Sequence, residues 1–148
     1  FKRGALAWLT PDHVKTLGKE KTVPVDLISY VAENGNDRQR PIAVEILRSR
    51  GSSAATRLLT VYDTSKHEGT ASASLDALSE IRGPASISTY RKAIKHRFGG
   101  VRAAGFAAIS RHGTEALLET VLEGLTDQDP LARVQAARAA LSLSKRVQ

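Results

Sequence analysis

Residues 90–112 read YRKAIKHRFGGVRAAGFAAISRH, with six Arg or Lys, two His and no carboxylate. Cations gathered in this way act on anions: they meet phosphates or an acidic protein, chiefly through charge. Arg91, Lys95 and Arg102 would come together if the Gly99-Gly100 pair turns the chain back, and Arg97 and Arg111 belong to the same run. Such a site would grip a nucleic-acid backbone and weaken steeply with salt. Tyr90 and Phe98 could stack on bases, although Tyr90 also falls in an apolar column described below.

The whole formal excess of charge sits here. Between residues 81 and 114 there are seven basic residues and no acidic one, whereas the other 114 residues carry 15 of each sign, giving the net +7. The next segment supplies a counterweight: Glu115, Glu119, Glu123, Asp127 and Asp129 occur in 115–129 with no basic residue. On a repeat register of 31 residues Glu123 falls beside Lys92, with Glu119 one turn away, so pairing between neighbouring helices could neutralise part of the patch. Lys92 and Lys95 are assigned mainly to such pairs. Arg40 and Arg102 stand 62 residues apart at corresponding helix starts, with Arg133 one residue off that register. These three could form a row that binds an acidic or anionic partner, or could serve to pack the helix starts.

Other chemistries find little support. The chain has no Cys, which excludes thiolate metal sites, disulfides and thiol catalysis. His13, His67, His96 and His112 occur singly, without the i, i+4 spacing of a helical metal site. The serines of SASASLDALS have no neighbouring His to activate them, and HRFGGVR lacks the spacing of a phosphate-binding loop. No catalytic, metal or cofactor residue is therefore assigned, and the expectation is a non-enzymatic protein. No apolar run approaches the roughly 18 residues of a membrane span. The chain has no Met, even at position 1, which reads as an excised domain or processed product; its compartment stays open, with the cytoplasm slightly favoured.

The positions of these residues follow from a repeat. From Leu47, steps of 31, 31 and 32 reach Leu78, Ile109 and Leu141, and four residues earlier stand Ala43, Ser74, Gly105 and Ala137, all small. Ile28, Leu59, Tyr90 and Val121 form a second column at the same step. Apolar positions three and four apart mark one face of a helix, so each unit holds two helices. The spacing predicts helices at about 24–34, 38–50, 54–65, 70–82, 86–98, 101–112, 114–125 and 130–146. Gly35, Gly51, Gly69, Gly83, Gly99-Gly100 and Gly113 fall between them as candidate left-handed ends. Asp37, Thr70, Thr114 and Asp129 are candidate caps, with Pro130 at a first helical position. Thr10-Pro11-Asp12 suggests a short helix over 11–18, and Trp8 is expected to cover the end of the core.

The segments DPLARVQAARAAL (129–141) and GVRAAGFAAI (100–109) resemble the second helix of a HEAT-type repeat: an acidic or small residue, Val-Arg or Arg-Val, then alanines and a closing aliphatic. The unit length is similar to the short HEAT-like class of phycobilisome-lyase-type repeats. The corresponding helices of the first two units, RPIAVEILRSR and TASASLDALSEI, keep the register without the Val-Arg signature. The resemblance covers roughly residues 23–148. It implies an all-α solenoid of about four two-helix repeats (units about 23–51, 52–83, 84–113 and 114–148) behind an atypical N-terminal cap over 1–22. It also implies a scaffold, part of a larger protein, that binds a partner on a concave face lined by second helices. The bilin lyases and alkylpurine DNA glycosylases with HEAT-like folds are enzymes, but their catalytic constellations have no counterpart here. The expected partner is an acidic protein segment held by apolar contacts and rimming Arg residues; the alternative is a nucleic-acid-binding module built on the third unit.

Overall fold

The structure is a computed structural model that describes residues 10–146, and among these every regular element is helical. The expected cover by Trp8 lies outside the described residues. The chain divides into two compact units, Phe1–Ile81 and Arg82–Gln148.

The first unit holds α1 (Pro11–Lys19), α2 (Val25–Asn34), α3 (Gln39–Ser49), α4 (Ala55–Thr64) and α5, which begins at Glu68 and ends at Arg82. Thr10 starts α1 as its sequence suggests: the hydroxyl accepts the His13 amide at 3.2 Å, while His13 Nδ1 accepts the Thr10 amide at 3.3 Å. The start of α3 is held differently from expectation. Asn36, and not Asp37, caps it, accepting the amides of Arg38 at 3.0 Å and Gln39 at 2.9 Å, and the buried Gln39 Oε1 accepts the Asn36 amide at 2.8 Å. Ile28, Val31, Val44, Leu47, Leu58, Val61 and Leu78 are fully buried or nearly so and form one core with Val14 of α1. Arg50 ties the end of α3 to the α1–α2 link, donating to the carbonyls of Val23 and Glu20 at 3.1 and 3.0 Å.

The second unit holds α6 (Ile87–Ala93), α7 (Gly99–His112), α8 (Leu118–Leu122) and α9 (Pro130–Arg146), with 3-10 turns before α6 and on both sides of α8. Its buried side chains include Tyr90, Val101, Phe106, Ile109, Val121, Ala136 and Leu143. Tyr90 donates its hydroxyl proton to the carbonyl of Gly83 at 2.7 Å, which satisfies its one polar atom inside the core. Two glycines are required by contact: a Cβ on Gly105 would lie 3.0 Å from Ala93 Cβ, and one on Gly124 would lie 2.4 Å from the Phe106 ring. Asp129 caps α9 through the Ala132 amide at 3.0 Å, just before Pro130, as expected.

Burial corrects the register. In the second helices the step is 31 throughout: Ala43, Ser74, Gly105 and Ala136 are buried, as are Leu47, Leu78, Ile109 and Ala140. Leu141, the expected fourth anchor, is exposed, because alanines fill most of the inward face of α9 and Leu143 supplies the bulk. The first helices are less strict. Their buried triplets are Ile28/Val31/Ala32, Leu58/Val61/Tyr62 and Tyr90/Ala93/Ile94, at steps of 30 and 32, so Leu58 takes the place expected of Leu59.

The helix ends also differ from expectation. Only Gly51 and Gly83 among the described residues have positive φ, at 63° and 51°. Gly35 and Gly113 end α2 and α7 in an extended conformation, and they are glycines because a Cβ would sit 2.6 Å from the carbonyl oxygen four residues earlier. Gly69 lies within α5, and Gly99-Gly100 form the first turn of α7 instead of a link. Thr70 is buried inside α5, and Thr114 makes no side-chain cap. Two helices are shorter than expected: α6 ends at Ala93 and not at 98, and α8 occupies only Leu118–Leu122 of 114–125, with 3-10 turns on both sides.

Candidate binding surfaces

At residue 133 the strict step of 31 removes an apparent exception: Arg133 lies on the same register as Arg40 and Arg102. The three side chains then behave alike, each turning its guanidinium back onto the link that precedes its own helix. Arg40, only 8% exposed, donates Nη1 to the Gly35 carbonyl at 2.7 Å and Nε to Thr70 Oγ1 at 3.2 Å, and pairs with Asp37. Arg102 donates Nη1 to the carbonyls of His96 at 2.9 Å and Arg97 at 3.2 Å. Arg133 donates Nη1 to the carbonyls of Asp127 at 2.7 Å and Gln128 at 3.3 Å. An Arg here gathers link carbonyls that no helix can satisfy, which is work a planar multiple donor does well. The link carbonyls that Arg102 gathers, at 96 and 97, lie beyond the end of α6 at Ala93.

Asp127 is the acidic centre of this arrangement. Arg102 grips it with two parallel bonds, Nε to Oδ2 and Nη2 to Oδ1, both 2.8 Å. Asp127 Oδ1 also accepts the Asp129 amide at 2.9 Å. The Arg102 hydrogen bond, aided by that amide and the nearby Arg133, outweighs desolvation and holds the Asp127 carboxyl below the usual carboxylate range. Of the acidic segment 115–129, it is Asp127 that neutralises Arg102. Lys92 and Lys95 line a shallow groove with Glu123, as the register suggested, yet no ion pair joins either lysine to Glu119 or Glu123.

The remaining candidates fall into two groups. Arg91, Lys92 and Lys95 are exposed beside one another, with Ser88 and Thr120 completing their groove. Lys95 also lines a second groove with Arg102 and Asp127, so the structure does bring it near both Arg91 and Arg102. Arg97 lies over the ring of Phe98, 4.7 Å from its centroid, while Phe98 is also packed by His96. Arg111, exposed at the end of α7, reaches the Ala107 carbonyl at 3.4 Å. Base stacking on Tyr90 is closed off, because the ring is fully buried.

A surface that charge counting does not reveal lies on α9. Leu131, Val134 and Leu141 are 54%, 50% and 66% exposed, and Arg138 and Lys145 are exposed as well. Their spacing of three, four, three and four residues sets all five on one stripe of the helix. Leu122 and Leu125, flanking the end of α8, are the other large apolar side chains exposed among the described residues, so every one of them belongs to the second unit. The signal was present in the sequence, but the spacing of Leu141 from Ile109 made it look like core.

Among the described residues, no group of three or more His, Asp or Glu gathers to hold a metal, and no helix is long and apolar enough to cross a membrane. Compared with family models, curated proteins and solved structures, the chain has no match in any of the three.

Proposed function

We propose that this chain is a non-enzymatic interaction module: an α-solenoid of about four HEAT-like repeats that binds an acidic protein partner along its second helices. The observation that carries this reading is the stripe on α9, where exposed aliphatic side chains alternate with cations. Water disfavours such a surface unless something covers it, and the interleaved Arg138 and Lys145 favour carboxylates in whatever does. The strict 31-residue step of the buried positions in the second helices supports the repeat architecture.

A second reading has one specific observation in its favour. Arg91, Lys92 and Lys95 are adjacent, exposed and not spent on link carbonyls, so the third unit keeps cations available to a nucleic-acid backbone. One experiment separates the two. A photo-reactive side chain is placed at position 134 or 92, with the exposed position 56 as control, and adducts formed in cells of the source are identified. The scaffold reading expects a protein adduct at 134 that is absent at 56, and loss of the purified partner's binding in Val134→Glu. Nucleic-acid adducts at 92, with nothing specific at 134, would replace it by the second reading.

A further inference from the structure

The stripe on α9 has the spacing of a coiled-coil seam. Positions 131, 134, 138, 141 and 145 alternate steps of three and four, the a and d places of a heptad pattern, filled here by Leu, Val, Arg, Leu and Lys. The opposite side of the helix is fixed in place. Ala132, Ala136, Ala139 and Leu143 are buried, Ser142 Oγ donates to the Ser110 carbonyl at 2.9 Å, and Arg146 binds the carbonyls of Ser110, Arg111 and Gly113 at the end of α7. A helix so anchored presents its outer seam as a rigid platform, which lowers the ordering cost of binding.

Charge decides which helix fits. A second copy of α9 laid parallel and in register would set Arg138 on Arg138 and Lys145 on Lys145. Laid antiparallel with a positions against d positions, it would set Arg138 against Leu141 and Lys145 against Val134, with no carboxylate to meet either cation. Two cations facing across an apolar seam repel strongly once water is excluded. A polar a position in such a seam characteristically selects its partner and register. We propose that the outer seam of α9 receives one amphipathic helix of a partner protein, with aliphatic residues opposite Leu131, Val134 and Leu141 and carboxylates opposite Arg138 and Lys145. This rests on the scaffold reading and names the partner's chemistry at that surface.

The test uses the full chain and a synthetic three-heptad peptide of about 21 residues. The peptide carries Leu at its seam positions, except for two Glu set seven apart to meet Arg138 and Lys145. A second peptide carries Lys in their place. By fluorescence anisotropy the Glu peptide should bind saturably and the Lys peptide should not. The exposed double variant Arg138→Glu/Lys145→Glu should lose about tenfold or more in affinity for the Glu peptide and gain the Lys peptide. Val134→Glu should abolish binding of the Glu peptide, with its helical circular dichroism unchanged. Binding indifferent to the charge reversal, or no saturable binding, would overturn the proposal. So would self-association of the chain that Val134→Glu removes, which would assign the seam to a second copy. A protein cross-linked at position 134 alongside a failed peptide would leave the scaffold standing and sink only the helix; failure of both sinks both.

Discussion

Asp127 shows how far a single side chain sets the local structure. Its carboxylate meets Arg102 through two hydrogen bonds of 2.8 Å and the Asp129 amide through a third, with side-chain exposures of 10% for Asp127 and 18% for Arg102. A carboxyl held below its ordinary value binds its proton more weakly folded than unfolded. Its contribution is therefore complete above the unfolded value of about 4 and lost as pH falls through the lower, folded one. Asp127→Asn should cost about 1–3 kcal/mol in urea unfolding at pH 7 and less as the pH drops below about 4, flattening the acid limb of the stability curve. An acid limb identical to that of the parent chain would show that Asp127 is not the group responsible. The sequence disclosed the charges of this cluster but not their pairing, because Arg102 and Asp127 are separated by 25 residues and nothing local marks them as partners. It also follows that reversing Arg102 is a poor probe of anion binding, since the same change frees two link carbonyls and a carboxylate.

At the level of elements, what could be read early was what repeats. The buried columns at 43, 47, 74, 78, 105 and 109 are visible as small and aliphatic residues, and the helices carrying them lie close to their expected bounds. What failed was α9, where Ala132, Ala136 and Ala139 face inward and Leu131 and Leu141 outward, with Leu143 the one leucine buried. The reason is room. Phe106 already fills the space beside Gly124, whose Cβ would also come within 2.7 Å of Ala136 Cβ, so α9 admits little beyond a methyl group at position 136. Gly124→Ala should therefore destabilise the protein by about 1–3 kcal/mol, as overpacked core substitutions do. Thermal unfolding measures this directly, and an unchanged or higher midpoint would mean that the Phe106 ring moves aside at no cost. The shortness of α6 was not legible, because the link that follows it, residues 94–98, is held in part by Arg102 of the following helix, a contact that nothing local marks.

For the molecule as a whole, the two kinds of helix obey different counting rules: the second helices keep a step of 31, whereas the first drift by one residue in either direction. The proposed solenoid needs only one of its layers in strict phase, and the 3-10 turns beside α4, α6 and α8 take up the difference. This bears on where the chain can grow. An added residue between Ser52 and Ser53, both exposed in the turn after α3, should cost under about 1 kcal/mol. The same insertion between Ala104 and Gly105 turns everything after it by about 100° around the α7 axis and drives Gly105, Phe106 and Ile109 out of the core together. Circular dichroism melting should show a near-parental cooperative transition for the first and none for the second; equal behaviour would mean that α7 is not held in phase. In evolutionary terms, length variants of such a chain should accumulate at the turns that lead into first helices, and the bodies of the second helices should tolerate none.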